Sequence, residues 1–175
     1  MKKVVVLSVV LFASVIAMNA QPRAIGVRFG YSTEASYQHS FGSGNMLQLD
    51  AGFPYFSSFH VVGTYNWLFP ISSWKHDGSW NWYAGVGAGV GLGWSYYRWW
   101  GYDDVILHYN RYYAKSYGVF GIAGMVGVEY NFKFPLQLFV DYRPLIGLAI
   151  SRDEAWFHNR GLGFIAIGAR YNFKK

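Results

Sequence analysis

Apolar and non-apolar positions alternate without a break over residues 79–97, SWNWYAGVGAGVGLGWSYY. The even positions are Trp80, Trp82, Ala84, Val86, Ala88, Val90, Leu92, Trp94 and Tyr96; the odd ones are Asn81, Tyr83, Gly85, Gly87, Gly89, Gly91, Gly93 and Ser95. A period of two sustained this long predicts one extended strand whose two faces meet different media. The same alternation recurs over residues 24–31, 34–41, 46–53, 58–69, 117–132, 136–150 and 162–173. Between these stretches lie connections such as Gly42-Ser43-Gly44-Asn45 and Lys133-Phe134-Pro135, whose glycine, asparagine and proline suit the backbone angles of tight turns. Pro144 falls inside 136–150 and has no N–H to give a ladder, so a bulge or a rim position is expected there.

Eight strands joined by hairpins, with no helical period beyond the N-terminus, predict an all-β fold: a closed antiparallel up-and-down barrel of eight strands. The face on which charge falls decides its solvent. Mid-strand apolar faces, for example Ile25, Val27 and Phe29 or Ile165, Ile167 and Ala169, carry no Lys, Arg, Asp or Glu, and strand-borne charges lie on the opposite face. A soluble barrel would show the reverse. One Lys or Arg turned to lipid at the bilayer midplane costs roughly 2–4 kcal/mol, so the pattern predicts a transmembrane β-barrel. Between Trp82 and Trp94, the span from Ala84 to Leu92 matches the roughly 9–11 residues a tilted strand needs to cross the hydrocarbon. Trp80, Trp82, Trp94, Tyr96, Tyr130, Phe132, Tyr171 and Phe173 then form interfacial girdles. The rival for 79–97 is a helix using the GxxxG spacings Gly85/Gly89, Gly87/Gly91 and Gly89/Gly93. Five glycines would destabilise that helix by roughly 4–5 kcal/mol relative to alanine, and the strand is preferred.

Composition agrees with this partition. Charged residues are only 14% of the 175-residue chain and aromatics 21%, with eight Trp and fifteen Tyr, against roughly 25% charged in soluble domains. The length suits one domain. The N-terminus, MKKVVVLSVVLFASVIAMNAQ, sets Lys2 and Lys3 before an apolar run from Val4 to Ile16, with Ala20 preceding Gln21. It predicts a secretory signal peptide over 1–20 and a barrel domain over 21–175, since the run falls short of the roughly 20 residues of a spanning helix. Formal net charge is +6, and without Lys2 and Lys3 thirteen basic residues face nine acidic ones, scattered along the chain. Nucleic acid is therefore not an expected partner. The chain has no cysteine, which excludes disulfides and thiolate metal sites.

With these strands and a closing segment IAIGARYNF that ends on Phe173, the chain resembles the small eight-stranded outer-membrane barrels of the OmpA and OmpX type. The resemblance implies a monomer in the bacterial outer membrane, with periplasmic termini, in contact with outer-membrane lipid including lipopolysaccharide. It implies a terminal aromatic read by the barrel-assembly machinery, although Lys174 and Lys175 here follow Phe173. It also implies a structural or surface-interaction, adhesin-like role in the envelope, non-enzymatic and without a cofactor.

Candidate chemistry lies on the inward face, where Arg28, Asp50, Glu129, Asp141, Arg143 and Arg170 give three positive and three negative charges. The interior of an eight-stranded barrel is just wide enough to be filled by side chains, and charges buried there must be paired. A salt-bridged plug is preferred to a proton or substrate path. If the last hairpin turns across 151–160, Asp141 falls opposite Arg170, with Arg143 close by. Among His39, His60, His76, His108 and His158, only His39-Ser40 sets a base beside a hydroxyl, and adjacent strand residues point to opposite faces. His158 with Asp153 and Glu154 is a weaker grouping, and no His pair has metal-ligand spacing. No catalytic, cofactor-binding or metal residue is assigned, and satisfied or surface histidines are expected. Because lipid A acyltransferases and deacylases exist on barrels of this size, a lipid-modifying enzyme is kept as an alternative. So is a narrow conduit for small hydrophobic molecules, for which the glycine face would leave room.

The connection RWWGYDDVILHYNRYYAKS, residues 98–116, is expected outside the cell. Its Arg98, Trp99, Trp100, Tyr102, Tyr109, Arg111, Tyr112 and Tyr113 offer stacking and cation contacts to a glycan or protein on a host or neighbouring cell. The competing reading is a thickened girdle that binds lipid headgroups. Residues 105–113 also read as strand, so this hairpin is expected to project from the membrane and offer an edge for pairing.

Overall fold

The computed structural model describes residues 21–42, 44–53, 58–74, 77–98, 112–152, 154–158 and 165–173. The expected signal peptide over 1–20, together with Lys174 and Lys175, lies outside them. The strands are β1 Gln21–Phe29, β2 Thr33–Ser40, β3 Asn45–Phe53, β4 Ser58–Pro70, β5 Ser79–Arg98, β6 Tyr112–Asn131, β7 Leu136–Tyr142, β8 Leu145–Ile150, β9 Ala155–His158 and β10 Ile165–Asn172. The alternating stretch is thus one strand of 20 residues, β5, and the helical alternative is not adopted.

Each strand pairs antiparallel with its successor from β1 to β6, β6 pairs with β7 and β8, β7 with β10, and β10 returns to β1. β7 and β8 are two halves of a single barrel strand, meeting β6 at Val126↔Tyr142 and Ala123↔Leu145. Arg143 and Pro144 separate them; the Pro144 carbonyl still accepts from the Gly124 N–H at 3.1 Å. The interruption expected at this proline is present and local. Eight barrel strands close through the pairing of β10 with β1, which leaves no strand of the wall without a neighbour on either side among the described residues.

At the β2–β3 turn, Gly42 takes a φ of 83° beside the Phe41 N–H bond to the Asn45 carbonyl at 2.9 Å. A side chain is disfavoured in that left-handed conformation.

The last hairpin corrects the expected register. The chain reverses between β8 and β9 at 151–154, where the Ser151 N–H donates to the Glu154 carbonyl at 2.8 Å, and β9 pairs back onto β8. β10 pairs with β7 in a register shifted by two residues from that hairpin, so that Asp141 faces Ala166, and Arg170 faces Gln137. Asp141 and Arg170 are not opposite each other, because Ala155–His158 is strand and the reversal comes earlier than a turn across 151–160 would place it.

The surface is inverted relative to a soluble protein. Ile25, Val27, Phe29, Val86, Val90, Leu92, Val140, Ile165 and Ile167 are exposed on the outside, whereas Arg28, Gln38, Gln48, Asp50, Glu129, Gln137, Asp141 and Arg170 are buried within. Halfway along the wall Ala88, Ile122 and Ile146 stand in one row across β5, β6 and β8, and Ile122 is 72% exposed. A continuous apolar belt of this kind exceeds what a soluble monomer tolerates and fits hydrocarbon, making this a transmembrane barrel. At the end that carries the chain termini, aromatic rings ring the belt. Phe69 stacks on Trp82 at 4.3 Å, Trp80 meets Tyr130 at 4.7 Å, Tyr130 meets Phe132 at 4.6 Å, and Tyr171 meets Phe173 at 5.1 Å between centroids. These positions suit the membrane interface, where one part of the ring is apolar and the other wet.

At the other end the wall is uneven. β4 accompanies β5 up to Ser58↔Gly93 and β8 accompanies β6 up to Gly118↔Ile150, but β5 and β6 go on pairing to Arg98↔Tyr112. The five pairs beyond Gly93 form a two-stranded ribbon of about 17 Å at ~3.4 Å per residue.

Candidate functional site in the barrel interior

Strand parity turns every second side chain into the lumen, with one irregularity at its edge. The register of β1 against β2 shifts between Pro22 and Ala24. Through this bulge Arg23 turns inward next to the inward-facing Ala24, although simple alternation would put the two on opposite faces.

Arg23 meets Glu129 in a two-pronged ion pair, one nitrogen lying 3.1 Å from Oε2 and the other bonded to Oε1. The same carboxylate accepts from Asn81 at 2.9 Å, Asn131 at 3.2 Å and Gln137 at 2.9 Å. Arg23 also donates to Gln38 Oε1 at 2.5 Å. From there a chain of amides climbs the lumen: Gln38 donates to Gln48 at 3.0 Å, and Gln48 donates to Asp50 at 2.8 Å. Arg143 then joins Asp50 at 2.5 Å to Glu34 at 2.7 and 2.8 Å. Glu34 is the upper node, receiving in addition Arg28 at 3.2 Å and the Ser32 hydroxyl, with His60 Nε2 at 2.7 Å. Arg28 holds Asp141 Oδ1 through two nitrogens at 2.9 and 2.7 Å, and Tyr83 donates to Asp141 Oδ2 at 3.3 Å. Arg170 donates to Ser36 at 3.0 Å and Gln137 at 3.2 Å, and lies 3.5 Å above the Phe139 ring centroid.

All six charged residues expected inside are there and buried, but their partners differ from expectation. Asp141 is neutralised by Arg28 rather than Arg170, and Arg143 serves Asp50 and Glu34. Two members were missed, Arg23 and Glu34, which bring the network to four positive and four negative groups among the described residues. Glu34 was legible, since it shares a face with Ser36 and Gln38; Arg23 was not, because its orientation depends on the bulge. His60 joins the network through Glu34. His39 sits on the outward face yet is buried, its Nδ1 3.1 Å from the Tyr37 hydroxyl and its ring 5.0 Å from Phe41. Trp99, Trp100, Tyr102, Tyr109, Arg111, His76 and His108 lie outside the described residues, while Arg98, Tyr112 and Tyr113 belong to the ribbon.

The glycine face of β5 meets two environments. In the half nearer the termini large side chains fill the space: Tyr83 packs with Met46 and Met125. A Cβ on Gly127 would overlap the Tyr83 ring, and one on Gly168 would overlap Phe139. In the far half, Gly89, Gly91 and Gly93 line a cavity of about 80 Å³ together with Val62, Val119, Leu145, Tyr117, Ser58 and the Glu34 node. At the terminal end a polar recess of about 210 Å³ lies among Arg23, Ser40, Asn45 and Asn81. The hydrogen-bonded chain from Glu34 to Glu129 stands between the two.

No family model matches this chain, and no curated protein matches it. It is similar to a solved structure. That structure is the crystal structure of a major outer membrane protein from Thermus thermophilus, with a TM-score of 0.43 and 13% identity over 87% of this chain and 99% of the other.

The chemistry open to the interior follows from its own contacts. Ser58 and His60 share the inner face of β4, and His60 contacts a carboxylate, a grouping that invites comparison with nucleophilic triads. Glu34 is, however, already bound by two guanidinium groups, which stabilise its charge and weaken its pull on an imidazole proton. These contacts join β1, β2 and β3 to the opposite wall across the lumen.

Proposed function

We propose that this chain is an integral protein of the bacterial outer membrane, of the OmpA and OmpX type, with a structural and surface-interaction role and no enzymatic activity. The observation that carries this reading is the charge-paired interior, in which groups of both signs are joined in one hydrogen-bonded network between the two ends of the barrel. A buried network of that kind opposes passage, because an ion entering it would have to displace paired charges in a low-dielectric space. In planar lipid bilayers the purified protein is expected to give no large, stable conductance steps. Steady pores of fixed size would overturn the plugged reading and favour the conduit.

The surface role is supported by the ribbon formed by β5 and β6, which carries the connection rich in Trp and Tyr past the ends of β4 and β8. With the termini in the periplasm, that connection faces the outside of the cell, where aromatic rings stack on glycan or protein surfaces. Replacing Trp99, Trp100 and Tyr102 together by Ser is expected to abolish adhesion of cells bearing the protein to glycan- or protein-coated surfaces while leaving the heat-dependent gel mobility of the barrel intact. Undiminished adhesion would assign these rings to the lipid interface instead.

A further inference from the structure

We infer that the far-end cavity is a binding site for a small, uncharged molecule of about phenol size that carries an apolar body and one hydrogen-bonding group. This goes beyond the structural role, and a sealed barrel binds or fails to bind such a molecule regardless of whether it conducts.

The walls of the cavity divide by chemistry. On the β5 and β6 side they are apolar or bare: Gly89, Gly91 and Gly93 present backbone, and Val62, Val119, Leu145 and the Tyr117 ring complete that side. Here the glycines set the shape. A Cβ on Gly89 would contact Leu145 and Val62, and one on Gly93 would run into Tyr117. Side chains along this strand would therefore close the space that the glycines leave. On the polar side stand Arg28, Glu34, Ser58 and His60 from β1, β2 and β4, Ser32 from the β1–β2 turn and Arg143 from the junction of β7 and β8.

The charges of that polar side select against an ionic ligand. Arg28 is committed to Asp141 and Arg143 to Asp50, while Glu34 is shared between both arginines, Ser32 and His60. An incoming ion would find no unmatched counter-charge and would lose its hydration, a cost of several kcal/mol. A neutral molecule meets no such barrier. Its polar group has Ser58 on the polar side, and its apolar part displaces water from surfaces that offer few hydrogen bonds. The volume, about 80 Å³, is that of roughly two to three waters at the ~30 Å³ each takes up in the liquid, which limits the enclosed part of the ligand to a short chain or part of a small ring. Below it the Glu34, Arg143 and Asp50 contacts close the floor, so the site is a dead end and not the entrance of a path.

The test uses the whole barrel refolded in lipid nanodiscs, with 4-fluorophenol as probe and fluorine saturation-transfer NMR as readout. Saturable binding is expected, reversed by excess phenol. Val119→Phe, which fills the cavity from β6, is expected to weaken binding at least tenfold. Ser58→Ala, which removes the hydroxyl without adding bulk to the cavity, is expected to weaken it several-fold. Val86→Phe, on the exposed face of β5 and away from the cavity lining, serves as the control and should bind as the parent does. Heat-dependent gel mobility verifies that each variant is folded, and if Val119→Phe does not fold, Ser58→Ala decides alone. A signal that grows linearly with lipid, or saturable binding that the folded cavity variants leave unchanged, overturns the inference and leaves the cavity to water.

Discussion

Replacing Glu129 by Ala is expected to destabilise the barrel by about 3–5 kcal/mol, the range measured when one partner of a buried ion pair is removed. The reason is the number of groups that depend on this one carboxylate. Arg23, Asn81, Asn131 and Gln137 all donate to it, and it is the only carboxylate bonded to Arg23 among the described residues. Arg28 and Arg143, by contrast, are each bonded to two carboxylates. Arg23 is 14% exposed and borders the terminal recess, so water can reach it in part and hold the loss toward the lower end of the range. Glu129→Gln keeps the shape and one acceptor but not the charge, and should cost less. The pair Arg23→Met with Glu129→Leu removes both charges and should recover much of the loss, since the desolvation penalty disappears with them. Urea unfolding in lipid vesicles, followed by tryptophan fluorescence, reads all three. A Glu129→Ala midpoint indistinguishable from the parent would mean that the network fills space without stabilising it.

The second large effect is expected on the outside. Ile122→Arg should destabilise the membrane-inserted barrel by about 2–4 kcal/mol, although Ile122 is 72% exposed. In a water-facing wall such a substitution changes stability by no more than about 0.5 kcal/mol, so the size of the loss tests which solvent this surface meets. Ile122 pairs with Ala88, midway between Trp82 and Trp94 on β5, where a guanidinium has the longest way to reach the interface. The same change at Tyr171, within the aromatic girdle, should cost only about 0–1 kcal/mol because the depth penalty fades there. Equal losses at the two depths in vesicle unfolding would contradict a bilayer-centred belt.

The fold was legible to the extent that each strand carries its own signal. Alternation identified the inner and outer faces because a membrane barrel separates its two solvents residue by residue, and Pro144 marked the break between β7 and β8 through its missing N–H. The interior pairings were less legible, for reasons that can be located. Ala155–His158 is four residues long and is flanked by Asp153, Glu154, Asn159 and Arg160, so polarity concealed a strand that moves the reversal of the last hairpin forward. Arg23 lies in a bulge, which alternation cannot anticipate. The glycine face left its filling undecided between side chains and a cavity. The answer differs by height: Tyr83, Met125 and Phe139 occupy the half nearer the termini, and the far half keeps open space.

The cross-lumen bonds also constrain how such a molecule comes into being. Arg28 and Asp141 are 113 residues apart in the chain, Glu34 and Arg143 109, and Arg23 and Glu129 106. None of these bonds has a local precursor, and contacts so distant form late and slowly. Until β10 reaches β1, the four arginines and four carboxylates must keep their hydration, while the opposite face of the same strands already seeks lipid. Sealing of the wall and drying of the lumen therefore belong to one late event, and a chain halted before its last strand would hold a wet, unpaired interior against the membrane.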